Sequence, residues 1–299
     1  MEQIKKISTI SQIAQKGKLA SFAELAKVRL SFLVVFSAVM AYVLGISEIL
    51  NWYSIVLLSL GGFLVTASSN CINQIIEKDI DKLMTRTMNR PLPTGSLSVF
   101  EAYLFAGITG VSGILLLGYY FNPISGLMGA LALISYAFIY TPFKSLGPTA
   151  VFIGAIPGSM PLLIGWTAAT GEISLGGIVL FFIQFFWQIP HFWSIAWLLN
   201  EDYKKAGYHL LPSTEGKNRA TALQNLPFHI LLILTSTIPY FMGLTGLSSL
   251  FVALICGFFF MLKGFQLAID LKDSSAKKLM FASFIYLPIV LISFVLDKI

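Results

Sequence analysis

Long apolar runs constrain this chain most, because each is close to the length that a helix needs to cross a bilayer. A spanning helix takes about 20 mostly apolar residues. The sequence contains nine such runs, at roughly 31–50, 53–76, 99–121, 124–141, 149–169, 175–199, 227–245, 247–268 and 277–296. Charged residues make up only 11% of the chain, against roughly 25% in soluble domains. The pattern predicts an all-α, polytopic membrane protein in which residues 1–299 form one membrane-embedded domain.

The positions of the lysines and arginines predict the orientation of this domain. If all nine runs span the bilayer, 19 of the 20 Lys and Arg residues fall on one side, and only Lys298 falls on the other. Basic loops mark the cytoplasmic side, so residues 1–29 are predicted to be a cytoplasmic segment of a bacterial-type inner (plasma) membrane protein. The net charge of +6 does not indicate nucleic-acid binding, since the basic residues are spread over separate loops.

A first group of polar residues follows the second apolar run, in the stretch NQIIEKDID at 73–81. Asn73, Glu77 and Asp81 are spaced four residues apart and therefore share one face of a helix. Oxygen ligands suit a hard divalent cation, and Mg²⁺ is usually held by one or two carboxylates together with water and substrate phosphates. The basic residues that follow suit a phosphate; they are Lys82, Arg86 and Arg90.

The alternative is that residues 77–90 form an ordinary solvated loop of mixed charge. Two features of the sequence argue against it. Asn73 lies deep in the apolar run, and the loop continues as RTMNRPLPTG at 86–95, where two prolines and a glycine fix the path of the chain. The sequence therefore favours a site that binds a metal and a phosphate.

A second polar group ends the sixth run, in FFWQIPHFWSIAWLLNEDYKKAGYHLLP at 185–212. Gln188 and His191 share a helix face, and Asn200 and Asp202 follow about three turns later. A lone histidine in a membrane helix often does no more than form a hydrogen bond to a neighbouring helix. The nearby tryptophans fit an interfacial belt; they are Trp187, Trp193 and Trp197.

Two acidic helix ends on one side of the membrane could share metal ions between them. Such an arrangement suits a diphosphate, because metal ions and basic side chains together neutralise the leaving group. The apolar tail of the substrate would then lie among the helices. Aromatic side chains around it could stabilise a carbocation.

At these residues the sequence resembles the UbiA superfamily of intramembrane prenyltransferases. The first motif of that family reads Asn-x-x-x-Asp-x-x-x-Asp, and here Glu77 replaces the first aspartate. Further segments resemble the branch of the family that transfers a farnesyl group to heme, and the resemblance covers roughly residues 25 to 290. These segments are NRPLPTG (89–95), YTPFKS (140–145), IGAIPGSMPLLIGW (153–166), FFWQIPHFWSIAW (185–197) and EDYKKAGYHLLP (201–212).

The resemblance implies a nine-helix, UbiA-type bundle that binds farnesyl diphosphate through Mg²⁺. It implies transfer of the farnesyl group to the vinyl group of protoheme IX (heme B), which is a substrate rather than a cofactor. The products would be diphosphate and heme O, for the biogenesis of heme–copper oxidases. A downstream heme-modifying or oxidase-assembly protein is then a possible partner.

The resemblance also implies roles for individual residues. The metal-binding and catalytic set comprises Asn73, Glu77, Asp81 and Asp202. The substrate-binding set comprises Lys82, Arg86, Arg90, Lys144, Gln188, His191, Tyr203 and Lys205. One position departs from the family pattern, because the second acid expected four residues after Asp202 is Ala206. Asn200 or Glu201 could compensate, so one bound ion is better supported than two.

Two alternative functions stay open at this stage. A quinone or chlorophyll-type acceptor would use the same diphosphate chemistry, although the Pro190–Phe192 run favours heme. A transporter would place polar residues along a path through the bilayer. Here the polar groups gather at one membrane face and the sequence shows no convincing internal repeat, which favours the enzyme.

Overall fold

The computed structural model describes residues 17–213 and 215–299. In this part of the chain, nine helices are long and apolar enough to cross a membrane, as the sequence predicts. They are α1 (Val28–Gly45), α2 (Trp52–Ile76), α3 (Val99–Phe121), α4 (Pro123–Leu146), α5 (Thr149–Thr170), α6 (Leu175–Leu198), α7 (Arg219–Phe241), α8 (Leu247–Asp270) and α9 (Asp273–Leu296). Most of the predicted cytoplasmic segment lies outside the described residues, and its remainder includes a short helix, Lys18–Leu25.

The helices pack as a bundle in which α5 and α6 lie largely inside. Helix α5 packs against α1 and α6, α2 packs against α3, and α9 packs against α6 and α8. Small residues allow these backbones to approach closely. A Cβ atom on Gly165 of α5, for example, would lie 1.9 Å from the carbonyl oxygen of Ala38 on α1, so only glycine fits there.

The outer surface of the bundle is apolar. On α8, at least half of each large apolar side chain is exposed at Phe251, Ile255, Phe258 and Leu262. Water would not stabilise such a surface, whereas lipid does. Together with the nine helices, this surface makes the chain a multi-pass membrane protein.

Helix α4 contains a π-helical turn, Ser135–Tyr140. Directly after it, the hydroxyl of Thr141 donates to the carbonyl of Tyr136 at 2.9 Å. Single π-turns inside α-helices are common at functional sites, because they shift the following side chains relative to the helix face. Here the shifted residues lie beside the carboxylates that follow α2.

Candidate active site

The predicted metal-binding face begins on α2 and continues past the end of that helix. Helix α2 ends at Ile76, and a separate short helix, Lys78–Asp81, follows it. The prediction of a single helix through Asp81 is therefore wrong. The backbone N–H of Glu77 nevertheless donates to Asn73 at 2.9 Å, and that of Asp81 donates to Glu77 at 2.7 Å. The four-residue spacing is thus kept across the break.

Asn73 joins this face to α4. Its Nδ2 donates to Oγ1 of Thr141 at 3.1 Å, and the side chain is buried. Because this contact uses an N–H of the amide, the amide oxygen is the group that could bind a cation. The π-helical turn before Thr141 therefore helps to orient a predicted ligand.

Glu77 is a buried carboxylate with a buried cationic partner. Nζ of Lys144 lies 3.1 Å from Oε1 of Glu77, and the hydroxyl of Tyr208 donates to the same oxygen at 3.3 Å. The Lys144 ammonium also lies 4.8 Å from the ring centre of Tyr208 and 5.8 Å from that of Tyr203. Buried charges need such partners to offset the loss of hydration. Two predicted substrate-binding residues, Lys144 and Tyr203, thus lie at the predicted metal site.

Asp81 is fully buried, and only one of its two carboxylate oxygens has a hydrogen-bond partner among the described residues. Its Oδ2 accepts from Nη1 of Arg90 at 2.7 Å, whereas its Oδ1 has no hydrogen-bond partner among the described residues. An unpaired buried carboxylate oxygen is costly and uncommon in folded proteins. A divalent cation coordinates such oxygens, so this atom fits the ion that the sequence predicts.

The cluster contains few protein ligands. Within the described ranges, no group of three or more His, Cys, Asp or Glu side chains is placed to hold a metal ion. Two carboxylates and one amide oxygen remain, from Glu77, Asp81 and Asn73. That set suits Mg²⁺, which keeps several waters and takes further oxygens from substrate phosphates.

Asp202 has a different environment, because both of its carboxylate oxygens accept hydrogen bonds from the backbone of loop 82–98. Oδ1 accepts from the backbone N–H of Thr85 at 2.8 Å, and Oδ2 accepts from that of Arg86 at 3.2 Å. Burial raises the pKa of Asp202, but these bonds and those from Thr85 and Lys205 outweigh it and lower the pKa to about 2. Asp202 is therefore ionised at neutral pH and ties loop 82–98 to the segment after α6. Its role as a metal ligand stays a prediction.

The other predicted phosphate-binding residues lie around the same loop. Lys205 donates to Oγ1 of Thr85 at 2.9 Å and pairs with Asp202 at 3.2 Å. Lys82 pairs with the exposed Asp79 at 2.8 Å, which places its ammonium outside the buried cluster, and the side chain of Arg86 is exposed.

The two residues suggested as substitutes for the missing second acid differ in burial. Asn200 is buried and donates to Glu201 at 3.0 Å. Glu201 is exposed and pairs with Lys204 at 3.0 Å. The side chain of Glu201 is therefore already paired at the surface.

Gln188 and His191 lie on α6 and contact neighbouring helices rather than the carboxylates. Nε2 of Gln188 donates to Oγ of Ser159 on α5 at 2.8 Å. Nδ1 of His191 lies 2.7 Å from Oγ of Ser283 on α9. The interhelical hydrogen bond considered as an alternative for the histidine is therefore present. Contact between His191 and heme stays a prediction.

The interpretation of the α6 tryptophans as an interfacial belt is wrong. Trp193 and Trp197 are only 3% and 1% exposed. Nε1 of Trp187 donates to the carbonyl of Ser283 at 2.8 Å, and Nε1 of Trp197 donates to Asp273 at 3.0 Å. The indole N–H groups of Trp187 and Trp197 are thus used inside the bundle, because α6 is surrounded by other helices, whereas Nε1 of Trp193 has no hydrogen-bond partner among the described residues.

A largely apolar cavity lies among α1, α2, α4 and α5. It is lined by Leu30, Val34, Val35, Ala38, Gly62, Val65, Thr66, Ser69, Asn70, Ala132, Tyr136, Pro157, Gly158, Pro161 and Ile164. Asn70 precedes Asn73 by one turn of α2, so the cavity reaches to within one turn of the first residue of the polar face.

Four residues at this site lie outside the set predicted from the sequence. Thr141 and Tyr208 bind Asn73 and Glu77, Tyr136 lines the cavity, and Lys27 lies near the charged cluster. Tyr208 and Thr141 fall inside the EDYKKAGYHLLP and YTPFKS motifs, so these motifs are a usable signal. The sequence marks Lys27 only as one of the positive charges that predict the orientation.

Comparison with known proteins identifies the family. The UbiA prenyltransferase family pattern matches residues 34–287. A protein named protoheme IX farnesyltransferase from Cytophaga hutchinsonii is 44% identical over 95% of this chain and 99% of its own. The structure of a digeranylgeranylglyceryl phosphate synthase covers 94% of this chain and 98% of its own, with 22% identity and a TM-score of 0.78.

A UbiA homologue from Archaeoglobus fulgidus, whose structure holds DMAPP and Mg²⁺, has a TM-score of 0.66 and 16% identity. It covers 92% of this chain and 99% of its own. These structures share the nine-helix fold predicted from the sequence, and the family match confirms the resemblance and excludes the transporter. The chain belongs to the UbiA prenyltransferase family.

Proposed function

We propose that this chain transfers the farnesyl group of farnesyl diphosphate to the vinyl group of heme B, giving heme O and diphosphate. The observation that carries the proposal is the buried Asp81, whose Oδ1 has no partner in the described structure, on a polar face that starts one turn after Asn70, which lines an apolar cavity. The diphosphate head and the apolar farnesyl tail of the substrate would then bind at neighbouring sites. The name of the 44% identical relative supports heme B as the acceptor.

The diphosphate binds where the cations of loop 82–98 and α4 gather. Arg90 and Lys144 stand in the buried cluster, and Lys205 holds the loop beside it. Arg86 has an exposed guanidinium on the same loop, and Lys82 is the outermost of the predicted contacts. Guanidinium groups bind phosphate oxygens in bidentate pairs, and ammonium groups act as point charges.

Mg²⁺ fits the oxygens of Asn73, Glu77 and Asp81, with Asp202 proposed for a second ion. When bound, the ion neutralises negative charge on the diphosphate as it leaves. The UbiA homologue that holds DMAPP and Mg²⁺ supports this assignment. Lys144 pairs with Glu77 and Arg90 pairs with Asp81 beside the proposed ion.

The reaction breaks the bond between C1 of the farnesyl group and the diphosphate oxygen. The residues around the diphosphate stabilise the electron pair that stays with the leaving oxygen. Tyr136, at the cavity wall, faces the allylic cation that remains. The vinyl carbon then forms the new carbon–carbon bond, water adds to the resulting cation, and a proton is released.

Heme B is proposed to approach from the α6 side of the site. His191 has its Nδ1 held by Ser283 and its ring stacked on Trp187, with the centroids 4.9 Å apart. A fixed imidazole of this kind suits binding of heme iron through Nε2. Gln188 and Tyr203 are proposed as further acceptor contacts.

The location of the protein follows from the same scheme. We place residues 1–299, as one domain, in the inner (plasma) membrane of a bacterium, with the N-terminus in the cytoplasm. This orientation rests on the one-sided distribution of lysine and arginine. A heme-modifying or oxidase-assembly protein is the proposed recipient of heme O.

Mass spectrometry of the heme product tests the proposal. Purified protein in lipid nanodiscs, incubated with heme B, farnesyl diphosphate and Mg²⁺, should yield heme that carries a hydroxyethylfarnesyl group. A parallel reaction with a quinone precursor should yield no prenylated product. Prenylation of the quinone precursor and not of heme, by well-folded protein, would overturn the acceptor assignment.

A further inference from the structure

Lys27 has a backbone conformation that a lysine rarely adopts. It joins the helix Lys18–Leu25 to α1 with φ +47° and ψ +53°, in the left-handed region. In the described part of the chain, only Lys27 and Leu271 have positive φ without being glycine. Such strained residues persist where the surrounding structure fixes them, and they are frequent at functional sites.

The break at Lys27 is held by the helix that carries the metal-binding face. Nε2 of Gln74 donates to the carbonyl of Leu25 at 2.9 Å, and Nδ2 of Asn70 donates to that of Ala26 at 3.4 Å. Both amide side chains are buried, and both belong to α2. The position of Lys27 is therefore fixed relative to Asn73, which lies between them in sequence.

The ammonium of Lys27 lies in the field of the proposed diphosphate site. Burial lowers its pKa most, Arg90, Lys144 and Arg86 lower it further and Glu77 opposes them, which brings the pKa to about 7. Among the described residues, Nζ of Lys27 has no hydrogen bond or ion pair. A strained backbone thus holds an unpaired cation near three other cations, and a bound anion would relieve their repulsion.

We propose that Lys27 binds an oxygen of the substrate diphosphate. The proposal rests on the diphosphate site proposed above. It adds Lys27, which directly precedes α1, to the proposed diphosphate contacts from loop 82–98 and α4. Lys27 precedes Leu30, which lines the apolar cavity, by three residues. The diphosphate then lies between loop 82–98 and Lys27, with the farnesyl group extending along α1.

Two substitutions separate the charge of Lys27 from its backbone conformation. Asparagine tolerates the left-handed region better than most residues, so Lys27→Asn keeps the break and removes the ammonium. Lys27→Arg keeps a cation. Lys18→Gln is a matched control, because Lys18 is exposed and pairs with Glu101 at 2.6 Å, away from the site.

Titration calorimetry with inorganic diphosphate and Mg²⁺ tests the proposal without heme. Loss of one charge-assisted hydrogen bond should weaken diphosphate binding by Lys27→Asn about 10- to 100-fold. Lys27→Arg should stay within about threefold of the original protein, and Lys18→Gln should be unchanged. Unchanged binding by Lys27→Asn, or equal losses in the Asn and Arg variants, would overturn the proposal.

Steady-state kinetics with farnesyl diphosphate and heme B gives a second readout. Lys27→Asn should raise the KM for farnesyl diphosphate and leave the KM for heme unchanged. A rise in the KM for heme alone would overturn the proposal, because it would assign Lys27 to the acceptor. If heme is not the acceptor, the calorimetric result still decides whether Lys27 binds diphosphate.

Discussion

Asp81 and Asp202 are carboxylates of the two polar motifs that resemble one family, yet their environments differ. Asp81 is fully buried and has an oxygen without a hydrogen-bond partner in the described structure. Asp202 is partly exposed, and both of its oxygens accept hydrogen bonds from loop 82–98 or Lys205. The first carboxylate has a free oxygen for a cation, whereas the second already has a structural task. Similar motifs therefore do not imply equal roles.

Asp81→Asn should have the largest effect on turnover. The change removes one charge with almost no change of shape, and it leaves the Arg90 guanidinium without its anionic partner. Loss of a preorganised electrostatic contact of this kind typically lowers turnover about 10²- to 10³-fold. Farnesylated heme, measured by mass spectrometry at saturating substrate, gives the rate.

Asp79→Asn is the matched control for Asp81→Asn. Asp79 is two residues away, exposed, and paired only with Lys82. Its turnover should stay close to that of the original protein. Equal losses in the two variants would show that the position of the charge does not matter, and the metal assignment would then be wrong.

Glu77→Gln should have the second-largest effect on turnover, which should fall about 10- to 100-fold. It should also lower stability by about 3–5 kcal/mol, because it leaves the buried Lys144 ammonium uncompensated. The double variant Glu77→Gln with Lys144→Met should regain much of the stability without regaining activity. Thermal unfolding in nanodiscs measures the first quantity, and product formation measures the second. Recovered turnover in the double variant would contradict a role for Glu77 at the metal.

Asp202→Asn sharpens the comparison, because the two possible roles of Asp202 predict losses of kcat of different size. As a contact that holds loop 82–98, its charge should affect the KM for farnesyl diphosphate about tenfold and kcat much less. Limited proteolysis should show faster cleavage within residues 82–98. A loss of kcat as large as that of Asp81→Asn would instead assign Asp202 to a metal ion.

His191→Ala should have the smallest effect on farnesyl diphosphate and a larger one on heme. Ser283→Ala is its matched variant, because it removes the interhelical hydrogen bond and leaves the imidazole in place. Such bonds contribute about 0.6 kcal/mol in membrane proteins, so Ser283→Ala should change the KM for heme by less than about threefold. Equal changes in both variants would make His191 a structural residue only.

The fold could be predicted from the sequence because bilayer thickness and charge bias act on long stretches of chain. The nine runs and the nine helices agree, and the main differences are at ends such as that of α4, predicted at 141 and found at Leu146. The motif that contains Asn73, Glu77 and Asp81 was equally readable, since one spacing holds all three on one side. A local rule was enough in both cases.

Contacts between distant segments could not be predicted. The pairing of Lys144 with Glu77 and of Tyr208 with Glu77 joins residues 67 and 131 positions apart. The burial of the α6 tryptophans could not be predicted because composition does not show whether a helix faces lipid or other helices. The position of Lys27 could not be predicted because a strained backbone leaves no mark on a single sequence.

Binding of Mn²⁺, as a paramagnetic substitute for Mg²⁺, tests most directly whether Asn73, Glu77 and Asp81 hold the cation. Electron paramagnetic resonance of the purified protein with inorganic diphosphate counts bound ions without any turnover. The account predicts a bound ion in the original protein and in Asp79→Asn, and its loss in Asp81→Asn. Undiminished Mn²⁺ binding by Asp81→Asn would contradict it.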